Sequence, residues 1–168
     1  MPVTSIDKNP DDHSLVVVSD FPAPVERLWR FWTDPRQLEQ WWGPPGYPAT
    51  FSDVAVEPGS RVGYYMTSPE GERFGGYWDI DTIEPPRRLT FRDGFADADG
   101  NPQDALPVGV IEVELSEHDG GTRVVSTSTY ATAEDLEKVL AMGMEEGLTG
   151  AIGQIDEILA TESATAPR

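Results

Sequence analysis

Few residues in this chain are suited to chemistry, and their spacing narrows what they can do. There is no Cys, which excludes disulfides, thiolate catalysis and Cys-ligated zinc. The two His are isolated: His13 sits in a polar N-terminal stretch and His118 in the turn His118-Asp119-Gly120-Gly121. Neither has a second His or a carboxylate at metal-ligand spacing, so both read as solvated surface residues. Asp97, Asp99 and Asn101 alternate as at the start of a calcium loop. Pro102, however, stands where that loop needs Gly, and Val108 where it needs a bidentate Glu. Residues 93–107 therefore read as an acidic loop, and no metal or other cofactor is expected. The nucleophile-elbow, zinc-protease and glycine-rich phosphate motifs are absent. Acid–base work would fall to Asp, Glu or Tyr. Ser126, Ser128 and Tyr130 alternate along one strand face, where they either orient a polar ligand group or satisfy one another.

The elements that must position these residues come in two kinds. From Phe51 to Tyr130 the chain reads as six strands: 51–56, 61–67, 73–83, 88–95, 109–117 and 122–130. Turn signals such as Glu57-Pro58-Gly59 and Ser68-Pro69-Glu70-Gly71 separate them. Val62, Tyr64 and Met66 share a face; Ile111, Val113 and Leu115 oppose Glu112 and Glu114. This alternation predicts a half-buried antiparallel sheet. A seventh strand, Ser14 to Phe21, precedes two short helices that open at Pro24 and at Asp34-Pro35. Trp41 and Trp42, adjacent on the second helix, point about 100° apart. One is then free to enter the core while the other borders a cavity.

The second kind is a long helix from Thr132 to Ala160. Leu136, Leu140, Met144, Leu148, Ala151, Ile155 and Leu159 form one apolar stripe. Thr132 with Asp135 makes a capping box with Asp in place of the usual Glu. Gly143, Gly147 and Gly150 line one side, leaving room either beside a cavity or for close helix-to-sheet contact. A methyl added at Gly147 is expected to overpack. The sheet and the helix bury each other's apolar faces best if the sheet curls around the helix.

One domain over residues 13–160 is expected, with disordered ends at 1–12 and 161–168. The net charge of −18, from 30 acidic against 12 basic residues, disfavours nucleic acid and anionic membrane surfaces as partners. No apolar run approaches the roughly 18 residues of a membrane span. The N-terminus has neither the basic nor the apolar region of a secretory signal, so a cytoplasmic location is expected.

Residues 23–46, APVERLWRFWTDPRQLEQWWGPPG, resemble the opening of the family named after the activator of heat-shock protein 90 ATPase. GGYWDIDTIEPPRRLTF (75–91) is similar to its central hairpin, DGGTRVVSTSTY (119–130) to its last strand and EEGLTGAIGQIDEIL (145–159) to its final helix. The resemblance covers residues 14–160. It implies an α+β helix-grip fold: a curved antiparallel sheet of about seven strands around a long C-terminal helix, as in lipid-transfer START domains and birch-pollen allergens. The family usually has Gly-Trp where this chain has Gly147-Leu148, and the smaller Leu either enlarges a cavity or leaves space for a neighbouring aromatic.

What the resemblance implies for function is a groove between sheet and helix, with residues 93–107 as an acidic loop at its mouth. Trp42, Tyr64, Met66, Trp78 and Phe91 are expected to line it from one side. Ser126 and Ser128 are expected on the sheet, and Met144, Gly147 and Leu148 on the helix. The first reading is binding of a small apolar or amphipathic molecule. The second is a cyclase, dehydratase or hydrolase using the same cavity. The third is a stress-related co-chaperone, although the best-known ones carry a further domain ahead of this one, for which 168 residues leave no room. A homodimer is an open expectation.

Overall fold

Period-two alternation of β-branched and aromatic residues produces a single antiparallel sheet. The computed structural model describes residues 3–97 and 99–165. Its strands are β1 (Val3–Asn9), β2 (Ser14–Phe21), β3 (Ala49–Phe51), β4 (Arg61–Thr67), β5 (Arg73–Glu84), β6 (Arg88–Ala96), β7 (Gly109–His118) and β8 (Gly121–Thr129). The eight lie in the order β1-β2-β8-β7-β6-β5-β4-β3. Helices α1 (Val25–Thr33) and α2 (Pro35–Trp41) follow β2; α3 (Ala133–Ala141) and α4 (Met144–Thr165) follow β8.

The expected α+β fold is present, with three corrections of detail. The first concerns the ends. Residues 3–9 are not disordered but form an eighth strand, paired with β2 from Val3↔Ser19 to Asn9↔Ser14. Its side chains hide it, because an edge strand is held by backbone pairing and needs little apolar patterning; only Val3 and Ile6 pack against the core. At the other end α4 continues through Thr165, and Arg27 holds Glu162 with bonds of 3.1 and 2.9 Å. Residues 1–2 and 166–168 of the expected disordered ends lie outside the described residues.

The second concerns β3, which stops at Phe51 rather than Val56. The Phe51 carbonyl is taken by the Arg36 guanidinium of α2 at 2.8 Å.

The third is the long helix, which is two helices. Gly143 adopts φ 91°, and its N–H donates to Leu140 O at 3.0 Å. A residue in the left-handed region ends α3, and Gly alone adopts it without strain. Thr132 caps α3 as expected, accepting from Asp135 N at 3.0 Å. The apolar stripe survives the break: Leu136, Ala151, Ile155 and Leu159 are buried, and Leu140, Met144 and Leu148 are partly so.

The Trp41-Trp42-Gly43-Pro44-Pro45 segment is clamped onto α4. Gln154 Nε2 donates to Gly43 O at 2.7 Å and to Trp41 O at 3.1 Å. Gly147 and Gly150 of α4 face the prolines, not the sheet. A Cβ on Gly147 would meet only Pro44 Cγ, at 3.5 Å, and one on Gly150 would meet Pro45 Cδ at 3.2 Å. Overpacking at Gly147 is therefore not expected after all, because 3.5 Å is ordinary van der Waals contact.

Candidate functional site

The site begins with two glycines in the sheet. Tyr64 pairs with Gly76, and Gly76 with Phe95, while Asp93 pairs with Trp78 on one side and Gly109 on the other. Because Gly76 has no side chain, the Tyr64 ring lies across it. A Cβ there would fall 2.4 Å from the ring and hydroxyl. Tyr64 thereby crosses β5 and donates its hydroxyl to Asp93 Oδ1 at 2.8 Å. On the far side the Tyr130 ring lies across Gly109 in the same way, with a would-be contact of 2.9 Å. Its hydroxyl approaches Met144 Sδ at 3.7 Å.

These groups border a cavity of about 280 Å³ between the sheet and the α3–α4 junction. Trp42, Tyr64, Met66 and Phe91 form one wall; Met142, Gly143, Met144, Gly147 and Leu148 form the opposite one. Ser126 and Ser128 line it from β8, and the Phe95 and Pro107 side chains close on it from either end of the 93–107 segment. Asp93 and Tyr64 are half-buried, and both line the cavity. Desolvation accordingly pushes the Asp93 carboxyl up to about 7, only partly offset by the Tyr64 hydrogen bond. Desolvation, then the Asp93 charge, holds Tyr64 well above the usual phenol range and raises Tyr130 in the same direction. Among the described residues, Asp93, Tyr64 and Tyr130 are the titratable side chains lining the cavity, and no Lys, Arg or His joins them.

The structure brings the expected residues together with one exception. Trp78 is fully buried behind the wall. Trp42 covers it edge-on at 5.0 Å and Phe91 stacks on it at 4.0 Å. Its large ring fills the space that its inward register opens. Trp41 is fully buried, donating its indole N–H to Phe31 O at 2.8 Å, and Trp42 borders the cavity beside it. Ser126 and Ser128 do not satisfy one another: neither hydroxyl makes a side-chain hydrogen bond among the described residues.

The residue that sequence reasoning misses is Asp93, absorbed there into the acidic loop. It belongs to β6, and the loop begins only at Asp97, whose carboxylate accepts from Asn101 N and Asp99 N at 2.9 Å each. Those turn bonds, the one from Asn101 foremost, hold Asp97 below the usual carboxylate range. The signal for Asp93 was the alternation Leu89, Phe91, Asp93, Phe95: a lone acid in phase with the inward residues of a strand.

With this geometry in view, the comparisons with other proteins place the fold. A family model described as Activator of Hsp90 ATPase homolog 1-like protein matches residues 22–160. The chain belongs to that family. It is similar to protein Ms6760 from Mycobacterium smegmatis, known from a crystal structure, at 47% identity over 99% of each chain with a TM-score of 0.88. It is also similar to a protein from Arthrobacter aurescens, known from a solution structure, at 45% identity over 95% of this chain and 92% of that one, with a TM-score of 0.90. DynU16, titled a putative protein in the dynemicin biosynthetic locus, shares the fold at 21% identity and a TM-score of 0.63 over 89% of this chain and 48% of its own. No curated protein matches this chain. Among the described residues, no helix is long and apolar enough to cross a membrane.

Proposed function

We propose that this protein binds a small apolar or amphipathic molecule in the cavity between the sheet and the C-terminal helices. The supporting observation is the lining: aromatic, Met and Leu side chains around about 280 Å³, with a few polar groups converging from the sheet. Small-molecule sites have that composition, and this volume lies just below their roughly 300–1,000 Å³ range, which fits a small ligand. Met142, Met144 and Met66 suit a ligand of variable shape, since the unbranched thioether repacks readily. The test uses an uncharged, environment-sensitive naphthalene dye and a Leu148→Trp variant. Leu148 borders the cavity, and the larger ring fills it. The variant should keep its circular dichroism and melting cooperativity while losing most of the dye affinity. Unchanged dye binding would place the dye elsewhere and remove the support for a cavity ligand.

The Tyr64–Asp93 pair favours a second reading, proton transfer on a molecule held in the same cavity. A carboxyl that titrates near 7 is matched to general acid–base work at neutral pH. Turnover of a bound carbonyl or hydroxyl compound that Asp93→Asn abolishes, with binding intact, would distinguish it from simple carriage.

A further inference from the structure

Taking the cavity as a ligand site, as proposed above, we infer that its ligand carries a protonated amine on a small apolar body, with the amine seated against Asp93. Tyr64 occupies Oδ1, and the carboxylate makes no other hydrogen bond or ion pair among the described residues. A carboxylate offers about four acceptor sites, so it has capacity for further donors from the cavity side. Among the described residues, the cavity lining contains no cation to neutralise it. An anionic ligand would lie beside a like charge in a poorly solvated site. An amine supplies the missing counter-charge and donors together.

The walls favour the same class. Trp42, Tyr64, Phe91, Phe95 and Tyr130 border the space, and aromatic faces attract ammonium groups. The chain's net charge of −18 draws cations toward the protein as a whole. The neighbours of Asp93 hold no competing charge: Tyr64 on β4, Trp78 on β5, Gly109 on β7 and Tyr130 beyond β8. The helical wall of Met142, Gly143, Met144, Gly147 and Leu148 adds none. Both tyrosines stay neutral at working pH, so the cavity's charge is set by Asp93 alone.

This assigns a pH dependence with a definite sign. An alkylamine stays protonated to about pH 10. Above the Asp93 titration near 7 both partners are charged and the ion pair forms directly. Below it the empty protein holds Asp93 protonated, and pairing requires loss of that proton. Amine affinity then falls by up to about tenfold per pH unit.

The experiment titrates the intact protein with naphthylethylamine, naphthylethanol and naphthylacetate by calorimetry, at about pH 8 and about pH 5.5, on either side of that titration. At the higher pH the amine should bind at least about tenfold more tightly than the alcohol, with the carboxylate weakest. At the lower pH the amine's advantage should shrink severalfold. Asp93→Asn should abolish the advantage, bringing the amine and alcohol affinities to within about threefold of each other. The wild-type pH dependence tests the same point if that variant does not fold. If amine and alcohol bind equally at the higher pH, the ligand class is wrong and the cavity reading stands. A preference that persists in Asp93→Asn would trace the amine to the acidic surface and overturn the assignment to Asp93. Absence of binding by all three would overturn both this inference and the binding reading.

Discussion

The two ends of the sheet–helix interface are built differently although one helix runs along both. Toward the C-terminal half of α4, Ala151, Ile155 and Leu159 are buried against a closed core. Trp32 and Trp41, packed with ring centroids 4.7 Å apart, stand where this core meets the cavity, and Trp41 donates its N–H to Phe31 O. Toward the α3–α4 junction, Met144, Gly147 and Leu148 face about 280 Å³ of space bordered by Tyr64, Asp93 and Tyr130. The difference lies in what packs opposite the helix. Large apolar side chains meet the helix at the closed end. At the other, Gly76 and Gly109 let two tyrosines lie flat, and a carboxylate takes an inward position that an apolar side chain would otherwise fill. A core becomes a site when residues that lower packing density and residues that need a partner coincide.

That contrast can be broken or sharpened in four ways, beginning with the largest effect. Ile155→Ala, at a fully buried position, should cost about 2–5 kcal/mol. Leu148→Ala, whose side chain already borders space, should cost well under half as much by urea unfolding. Equal costs would mean the two ends are equally closed.

Asp93→Asn should stabilise the protein at about pH 8, by at most about 4 kcal/mol if the whole shift is carried by the folded state. The sign follows from a folded-state carboxyl at about 7 against an ordinary value of 3.8. The native state holds its proton more tightly, so wild-type stability declines as pH rises from about 4 through about 7. The gain in the variant should therefore be absent near pH 4. A destabilised variant at both pH values would show that the carboxylate is well solvated or paired.

Gly76→Ala should cost about 1–3 kcal/mol, because its methyl would fall 2.4 Å from the Tyr64 ring and must displace it. It should also weaken the Tyr64–Asp93 bond, visible as a shift of the Asp93 titration followed by carboxyl NMR. No movement of that titration would mean Tyr64 reaches Asp93 without needing the glycine.

Gly147→Ala should be neutral or stabilising by up to about 1 kcal/mol, since helix propensity rises and the methyl makes an ordinary contact with Pro44. A clear loss in melting temperature would mean that the Pro44–α4 contact has no slack.

Most of the fold was legible because it depends on local periodicity. Strand alternation in Val62-x-Tyr64-x-Met66 and in Ile111-x-Val113-x-Leu115, and the i, i+4 stripe from Leu136 onward, are properties of neighbouring residues, and they hold in the folded chain. What local pattern could not carry was β1, where Ser5, Asp7 and Lys8 are held by backbone pairing with β2 that any side chain permits. The break at Gly143 was equally hidden. A glycine tolerated within a helix and one that ends it look alike until packing selects the left-handed backbone.

The site divides along the same line. The inward residue types were determined by the sequence itself: Trp42, Tyr64, Met66, Phe91, Ser126, Ser128, Met144 and Leu148 face the cavity because strand and helix periods put them there. Whether an inward side chain lines space or fills it was decided only by tertiary packing. Trp78 shares the register of its neighbours and is sealed off by Trp42 and Phe91. Asp93 gains its partner from a tyrosine two strands away across Gly76, a contact that depends on sheet register and on an absent side chain together. Desolvation, which pushes its carboxyl up, is a property of the enclosing walls and not of the residue or its neighbours in the chain.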